Sequence, residues 1–204
     1  VLQATDWPGF GPQKNRALAA ATGDWVLSID ADEQVTPELA GQLRAAMDAS
    51  RFDAYSVNRF SNFCGQYMRH SGWYPDRVLR LFRRGTARFS DDIVHERVIA
   101  DGAVGRLEGD LLHNSMPHVE SVLGKMDRYS TAGAQALAAK GVKGSFGQAL
   151  LHGWWAFMRT YVVKRGFLDG KLGFALAVSN AEGTYYRYLK LWLMQRTPAA
   201  ADPS

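Results

Sequence analysis

The residues that invite a chemical reading are the acids Asp30-Ala31-Asp32-Glu33. Directly before them runs Trp25-Val26-Leu27-Ser28-Ile29, a short apolar stretch of β-formers that reads as a buried strand. Asp30 and Asp32 are two apart, so both can project to one side of a strand end. Two hard oxygen ligands converging there suit Mg²⁺ or Mn²⁺ bound to a phosphate-bearing substrate. The plainer reading is a loop of solvated acids at the start of a helix. Further candidates are spread along the chain: His70, Trp73 and Tyr74 in one loop, Asp91, Asp92, His95 and Glu96 in another, and His113 after Leu111-Leu112.

The elements that must position these groups can be read from the pattern. Asp6 to Pro12 is rich in Gly and Pro and reads as a loop. Residues 13–22 read as a helix ended by Gly23. A helix followed by a buried strand is half of a βαβ unit and points to a parallel sheet. The acids then fall at the carboxyl edge of that sheet, where such folds place ligands. Thr36 is a candidate cap for a helix opening at Pro37 and running to Met47, with Leu39, Leu43, Ala46 and Met47 on one face. Residues 54–60 and 77–84 read as strands, residues 94–98 as a short extended piece, and residues 106–113 as a further strand. Beyond His118 the pattern turns helical, over 119–140, 146–162 and about 182–195.

Composition narrows the function classes. A chain of 204 residues with 47% hydrophobic residues has the makings of a sizeable core. The single Cys64 excludes an internal disulfide and a cysteine-cluster metal site, and it fits a reducing compartment. The first 50 residues hold three basic and seven acidic side chains, −4, which leaves +8 on the rest of a chain whose net charge is +4. An acidic site on a chain with a basic C-terminal part fits a metal–phosphate centre beside an anionic partner surface. No nucleic-acid-binding module is recognisable, so an anionic lipid ranks above nucleic acid. The longest charge-free run, Gly144 to Met158, falls short of the ~20 apolar residues that a spanning helix needs.

The motifs taken in order are more specific than the acids alone. They are Gly-Phe-Gly-Pro-Gln-Lys-Asn-Arg-Ala-Leu at 9–18, Ala-Thr-Gly-Asp-Trp-Val-Leu-Ser-Ile-Asp-Ala-Asp-Glu at 21–33 and Arg-Val-Leu-Arg-Leu-Phe-Arg-Arg at 77–84. Val-His-Glu at 94–96 and Gly-Phe-Leu-Asp-Gly-Lys-Leu-Gly-Phe at 166–174 complete the set. This set resembles the family 2 inverting glycosyltransferases of GT-A fold, and most closely the bacterial lipopolysaccharide core β-glucosyltransferases. The resemblance implies an α/β Rossmann-like domain, a mostly parallel sheet flanked by helices, over residues 1–117. It implies a C-terminal helical extension over 118–196 and a tail at 197–204 that reads as disordered. Nothing in the sequence matches the family's first strand–helix unit, so the expectation is a GT-A domain incomplete at its N-terminus.

The resemblance also implies roles. Asp32 is expected to hold a divalent cation, Mg or Mn, with His113 as a further metal ligand. Asp30 is expected nearer the ribose of a nucleotide diphosphate sugar donor or bridging through water, and Lys14 and Arg16 at its phosphate or base. Glu96 is the candidate general base, with Asp91 and Asp92 as substitutes and His95 in support. Trp73 and Tyr74 are candidates to stack on an acceptor sugar. The activity so implied is transfer of a hexose, glucose in the branch named, to a lipopolysaccharide core or related lipid-linked glycan acceptor. The expected location is the cytoplasmic face of an inner membrane, bound peripherally through anionic lipid. Two other readings carry different tests. A phosphatase with an Asp nucleophile would trap as a phospho-aspartate, and a non-catalytic nucleotide-sugar or lipid-binding module would bind without turnover.

Overall fold

The computed structural model describes residues 5–90 and 97–196, and these fall into two units, the described residues of 1–60 with 75–113 and those of 61–74 with 114–204. In the first unit, helix α1 (Phe10–Ala19) leads to strand β1 (Trp25–Leu27), the acidic turn, strand β2 (Glu33–Val35) and helix α2 (Pro37–Ala49). Strands β3 (Ala54–Phe63), β4 (Gln66–Tyr67), β5 (Asp76–Arg83), β6 (Ala87–Phe89), β7 (Val98–Ala100) and β8 (Val104–Met116) follow in the chain, of which β4 and the last residues of β3 and β8 belong to the second unit. The start of α2 forms as its sequence dictates. The Thr36 side chain accepts from the Leu39 N–H at 3.2 Å, and Pro37 sits where its missing N–H costs nothing. Helix α1 starts earlier than expected because Pro12 falls within its first turn, where proline is tolerated.

The main sheet runs in the order β1-β5-β3-β8-β2, with β4 paired to β3. Pairs β1–β5, β3–β5, β3–β4 and β2–β8 are antiparallel. At the centre, Ser56 Oγ donates to the Gly105 carbonyl and Asn58 Nδ2 to the Glu108 carbonyl. Positions rise together along both strands, so β3 and β8 run parallel. The α/β architecture with flanking helices is as expected, and the sheet is mixed rather than mostly parallel. Chain connection fits the difference: β3 turns straight back into β4, which pairs with it antiparallel, while β3 and β8 are separated by a long crossover. Leu39, Leu43 and Ala46 of α2 lie buried with Tyr55, Val57, Leu81 and Leu111 of the sheet, which fixes the helix over β3, β5 and β8, and Trp25 and Val35 on either side of the acids pack against the same cluster.

The second unit is mostly helical: α3 (Val119–Ala139), α4 (Phe146–Met158), one π-helical turn (Arg159–Val163), a 3₁₀ turn (Gly166–Asp169) and α5 (Gly170–Arg196). The expected helix over 146–162 is therefore α4 with a π turn appended. The last helix starts at Gly170 instead of near Glu182. Phe63, Met68, Val122 and Leu176 form its buried core. Ala149 and Gly153 are the buried positions of α4, and a Cβ at Gly153 would meet Tyr185 of α5 at 3.0 Å.

Candidate active site

Strand β1 is placed by pairing Trp25, Val26 and Leu27 with Arg83, Phe82 and Leu81. The pairing continues one step further, the Ser28 N–H donating to the Arg80 carbonyl at 2.8 Å. The chain then turns. Asp30 N–H donates to Glu33 Oε2 at 2.9 Å, and Glu33 N–H donates back to the Asp30 carbonyl at 3.0 Å. Glu33 opens β2 opposite His113 of β8. The turn thus holds itself closed and brings the acids beside two other strands.

Within it, Arg80 is the hub. Its Nη2 reaches Asp30 Oδ2 at 2.9 Å and also makes a short contact with Glu33 Oε1. The Glu33 side chain is fully buried and that of Arg80 nearly so. Lys14 on α1 supplies a second cation, its Nζ 2.8 Å from Asp30 Oδ1. Burial pushes the Asp30 carboxyl up, but the Lys14 hydrogen bond and the charges of Arg80 and Lys14 outweigh it, and the net shift is downward. Asp30 is therefore an ionised carboxylate saturated by two cations.

Asp32 is different. Its side chain is 47% exposed, and His113 Nε2 stands 3.4 Å from its Oδ2. The β2–β8 register accounts for this meeting, since Glu33, next to Asp32, is the Cα partner of His113. A carboxylate and an imidazole form a mixed oxygen–nitrogen donor pair. Among the described residues no three His, Cys, Asp or Glu side chains group as a metal site. A cation here would need oxygens from a substrate or water to complete its shell, as Mg²⁺ commonly does with substrate phosphates.

Beside the hub is a cavity of about 600 Å³, lined by Lys14, Asp30, Arg59, Arg77, Arg80 and Arg97 among others. Five of these six are cations. Arg80 Nε is buried and has no hydrogen-bond partner among the described residues. Asp32 and His113 do not line this cavity.

The structure brings Lys14 to Asp30 and Asp32 to His113, and it separates Arg16 from both pairs. Arg16 turns to Asp6, with Nη2–Oδ2 at 2.6 Å and Nη1–Oδ1 at 2.9 Å. That exposed pair raises the Arg16 pKa and lowers that of Asp6. Glu96, His95, Asp91 and Asp92 lie outside the described residues. Trp73 packs edge-on against Phe63, and the Tyr74 ring lies 5.9 Å from the Arg69 guanidinium. Sequence reasoning missed the buried Arg80–Glu33 pair. The register of β5 explains the miss: Tyr55 pairs with Leu81 and Ser56 with Leu79, so Arg80 is an extra residue that interrupts the alternation of the strand.

The family model for glycosyl transferase family 2 matches residues 1–106, just over half of the chain. The chain belongs to glycosyl transferase family 2, and it is a glycosyltransferase by that membership. It is 28% identical over 198 residues to an uncharacterized glycosyltransferase of Rickettsia typhi, covering 91% of this chain and 68% of that protein. A Rickettsia prowazekii counterpart is 26% identical over 197 residues, with 91% and 68% covered. The lipopolysaccharide core biosynthesis glycosyltransferase LpsC of Rhizobium meliloti is 29% identical over 208 residues, covering 97% of this chain and 74% of LpsC.

Proposed function

We propose that the chain is an inverting, metal-dependent hexosyltransferase that moves a sugar, glucose in the first instance, from a nucleotide diphosphate donor to a lipopolysaccharide core or related lipid-linked glycan. The observation that carries this reading is the division of labour at the turn. Asp30 and Glu33 are neutralised internally by Lys14 and Arg80, while Asp32 stays exposed beside His113. The donor set fits a divalent cation completed by diphosphate oxygens, with Asp32 and His113 as its protein ligands. Such a cation offsets the negative charge that develops on the leaving diphosphate. Lys14 and Arg80 serve the same diphosphate from the cationic cavity that both of them line. Asp30 holds those two cations in place next to the ribose end of the donor. Glu96 takes the proton from the acceptor hydroxyl as that oxygen attacks C1 opposite the leaving group.

The LpsC likeness supports the acceptor class. A lipid-linked acceptor favours an enzyme that shares its surface, and we place this one on the inner membrane as a peripheral protein. No helix among the described residues is long and apolar enough to cross a membrane.

The test is a calorimetric titration of a uridine diphosphate sugar with Mn²⁺. Heat is expected from the wild type and not from Asp32→Ala. Glu96→Gln is expected to keep the heat of donor binding while nucleoside diphosphate release falls ~10²–10⁴-fold. Equal loss of binding in both variants would remove Glu96 from the base role. Donor heat unchanged in Asp32→Ala would remove the metal assignment.

A further inference from the structure

The helical unit holds a cavity of about 370 Å³ that has no part in the reaction proposed above. Its size lies within the ~300–1,000 Å³ of ordinary ligand sites. Its floor is apolar, made by Phe63, Met116, Val122 and Leu176, three of which belong to the buried core of the unit. Its rim is cationic. Lys125 comes from α3, Arg159 from the start of the π turn and Arg187 from α5, and no carboxylate is among the lining residues.

Lys125 and Arg187 are positioned by side-chain neighbours, and Arg159 by the turn that it opens. Lys125 Nζ donates to the Ser115 carbonyl at 2.8 Å, and an ammonium has further donors to give. Arg159 opens the π turn, whose wide closure is seen in the Lys164 N–H donating to the Arg159 carbonyl at 2.8 Å. The neighbouring buried Thr160 accepts from Asn180 Nδ2 at 3.2 Å, which ties this turn to α5. π turns of this kind are often found at functional sites. Arg187 lies across α3 at Gly133, where a Cβ would stand 2.6 Å from its Nε and 2.9 Å from its Cδ. Among the described residues neither Arg159 nor Arg187 makes an ion pair, although Lys190 on the same helix pairs with Asp127 at 2.7 Å. Three cations at one rim repel one another, and an anion between them relieves that repulsion. The planar guanidinium fork is matched to phosphate oxygens.

We propose that this cavity binds a phosphate group carried on an apolar body, a phosphorylated amphiphile, with the phosphate between Arg159, Arg187 and Lys125 and the apolar part on the Phe63–Leu176 floor. The site draws on no residue of the acidic turn and needs neither Asp32 nor Glu96, so it stands whether or not the sugar-transfer assignment does.

The experiment uses the full chain and three probes in calorimetric titration: dihexanoyl phosphatidic acid below its micelle concentration, dihexanoyl phosphatidylcholine and inorganic phosphate. Saturable heat is expected with the phosphatidic acid, and binding about tenfold weaker or worse with the other two. Arg159→Gln and Arg187→Gln are each expected to weaken the phosphatidic acid by about tenfold. Gly133→Ala keeps every charge and improves helix propensity, yet it displaces the Arg187 side chain. It should weaken binding while the unfolding temperature holds or rises. No saturable heat with phosphatidic acid overturns the proposal, and so does unchanged affinity in the Arg159→Gln/Arg187→Gln double variant. Equal affinity for inorganic phosphate overturns the amphiphile and assigns a simple anion site; equal affinity for phosphatidylcholine overturns the role of the cations.

Discussion

Arg80 neutralises two carboxylates from inside the sheet, and one of them, Glu33, has no exposed side-chain surface. Removing one partner of such a buried pair strands the other charge. Arg80→Met is therefore expected to destabilise the first unit by about 3–5 kcal/mol, read by urea unfolding. Adding Glu33→Met should restore most of that loss, since a matched apolar pair leaves no charge without a partner. A double variant no more stable than the single one would show that Arg80 acts through packing alone. Asp30 behaves differently with pH. Its folded pKa lies below the ordinary 3.8, so its ionisation contributes stability above that value, and the contribution is lost as pH falls through the lower folded pKa. Asp30→Asn should thus be less stable than wild type at pH 7, with the gap closing below about pH 4. Over a third of the Asp30 side chain is exposed, so solvent screens the pair and the gap at pH 7 is on the order of 1 kcal/mol. A gap that stayed constant down to pH 2 would assign it to lost geometry rather than charge.

At the scale of elements, the junction before α5 is built on Asp169. Its carboxylate accepts from the backbone N–H groups of Arg69 and His70 and from Ser71 Oγ at 2.9 Å, and it meets His70 Nδ1 at 3.1 Å. One buried carboxylate thus satisfies a loop 100 residues away in sequence. Asp169→Ala leaves those donors without an acceptor and is expected to cost about 3 kcal/mol. Gly173 guards the same junction, for a Cβ there would fall 1.9 Å from the Gly166 carbonyl oxygen. Gly173→Ala should cost roughly as much, despite alanine's better helix propensity, because only backbone movement relieves the clash. A melting temperature at or above that of wild type would refute the close approach. This junction also marks what could be read in the sequence. Local signals sufficed where the cause was local: Thr36 and Pro37 announce α2, and Trp25 to Leu27 announce a strand before the acids, although that strand is a short, partly exposed antiparallel one at the end of the sheet and not the buried strand expected over residues 25–29. The meeting of Asp32 with His113 was expected only through family likeness, since the β2–β8 register that produces it is not encoded near either residue. The early start of α5 was illegible because Gly170, Gly173 and Asn180 oppose helix, and tertiary contacts of Leu176 and Ala177 override them. Arg80 reads as a surface cation until three strands bring it against Asp30 and Glu33.

At the scale of the whole molecule, charge and apolar exposure coincide. Between residues 128 and 168 the chain has six basic residues and no acid. The same stretch exposes Leu150, Leu151, Trp154 and Trp155 on α4, each at 52–62%, and Val162, Val163, Phe167 and Leu168 just beyond. Such residues are exposed because the small Ala149 and Gly153 face α5, which turns the bulky side of α4 outward. An aromatic and aliphatic face rimmed by lysine and arginine suits the headgroup region of an anionic bilayer, where each cation near the surface contributes about 1 kcal/mol. The protein is therefore expected to co-sediment with vesicles containing anionic lipid at low salt. Binding should weaken at high salt, where the Debye length shrinks to about 3 Å at 1 M. Trp154→Glu/Trp155→Glu should abolish sedimentation while leaving the fold intact, because both side chains are more than half exposed. Lys164→Gln/Arg165→Gln should reduce it and flatten its salt dependence. Protein that remains in the supernatant with anionic vesicles at low salt, while still folded, would assign the exposed face of α4 to contact with another protein surface instead.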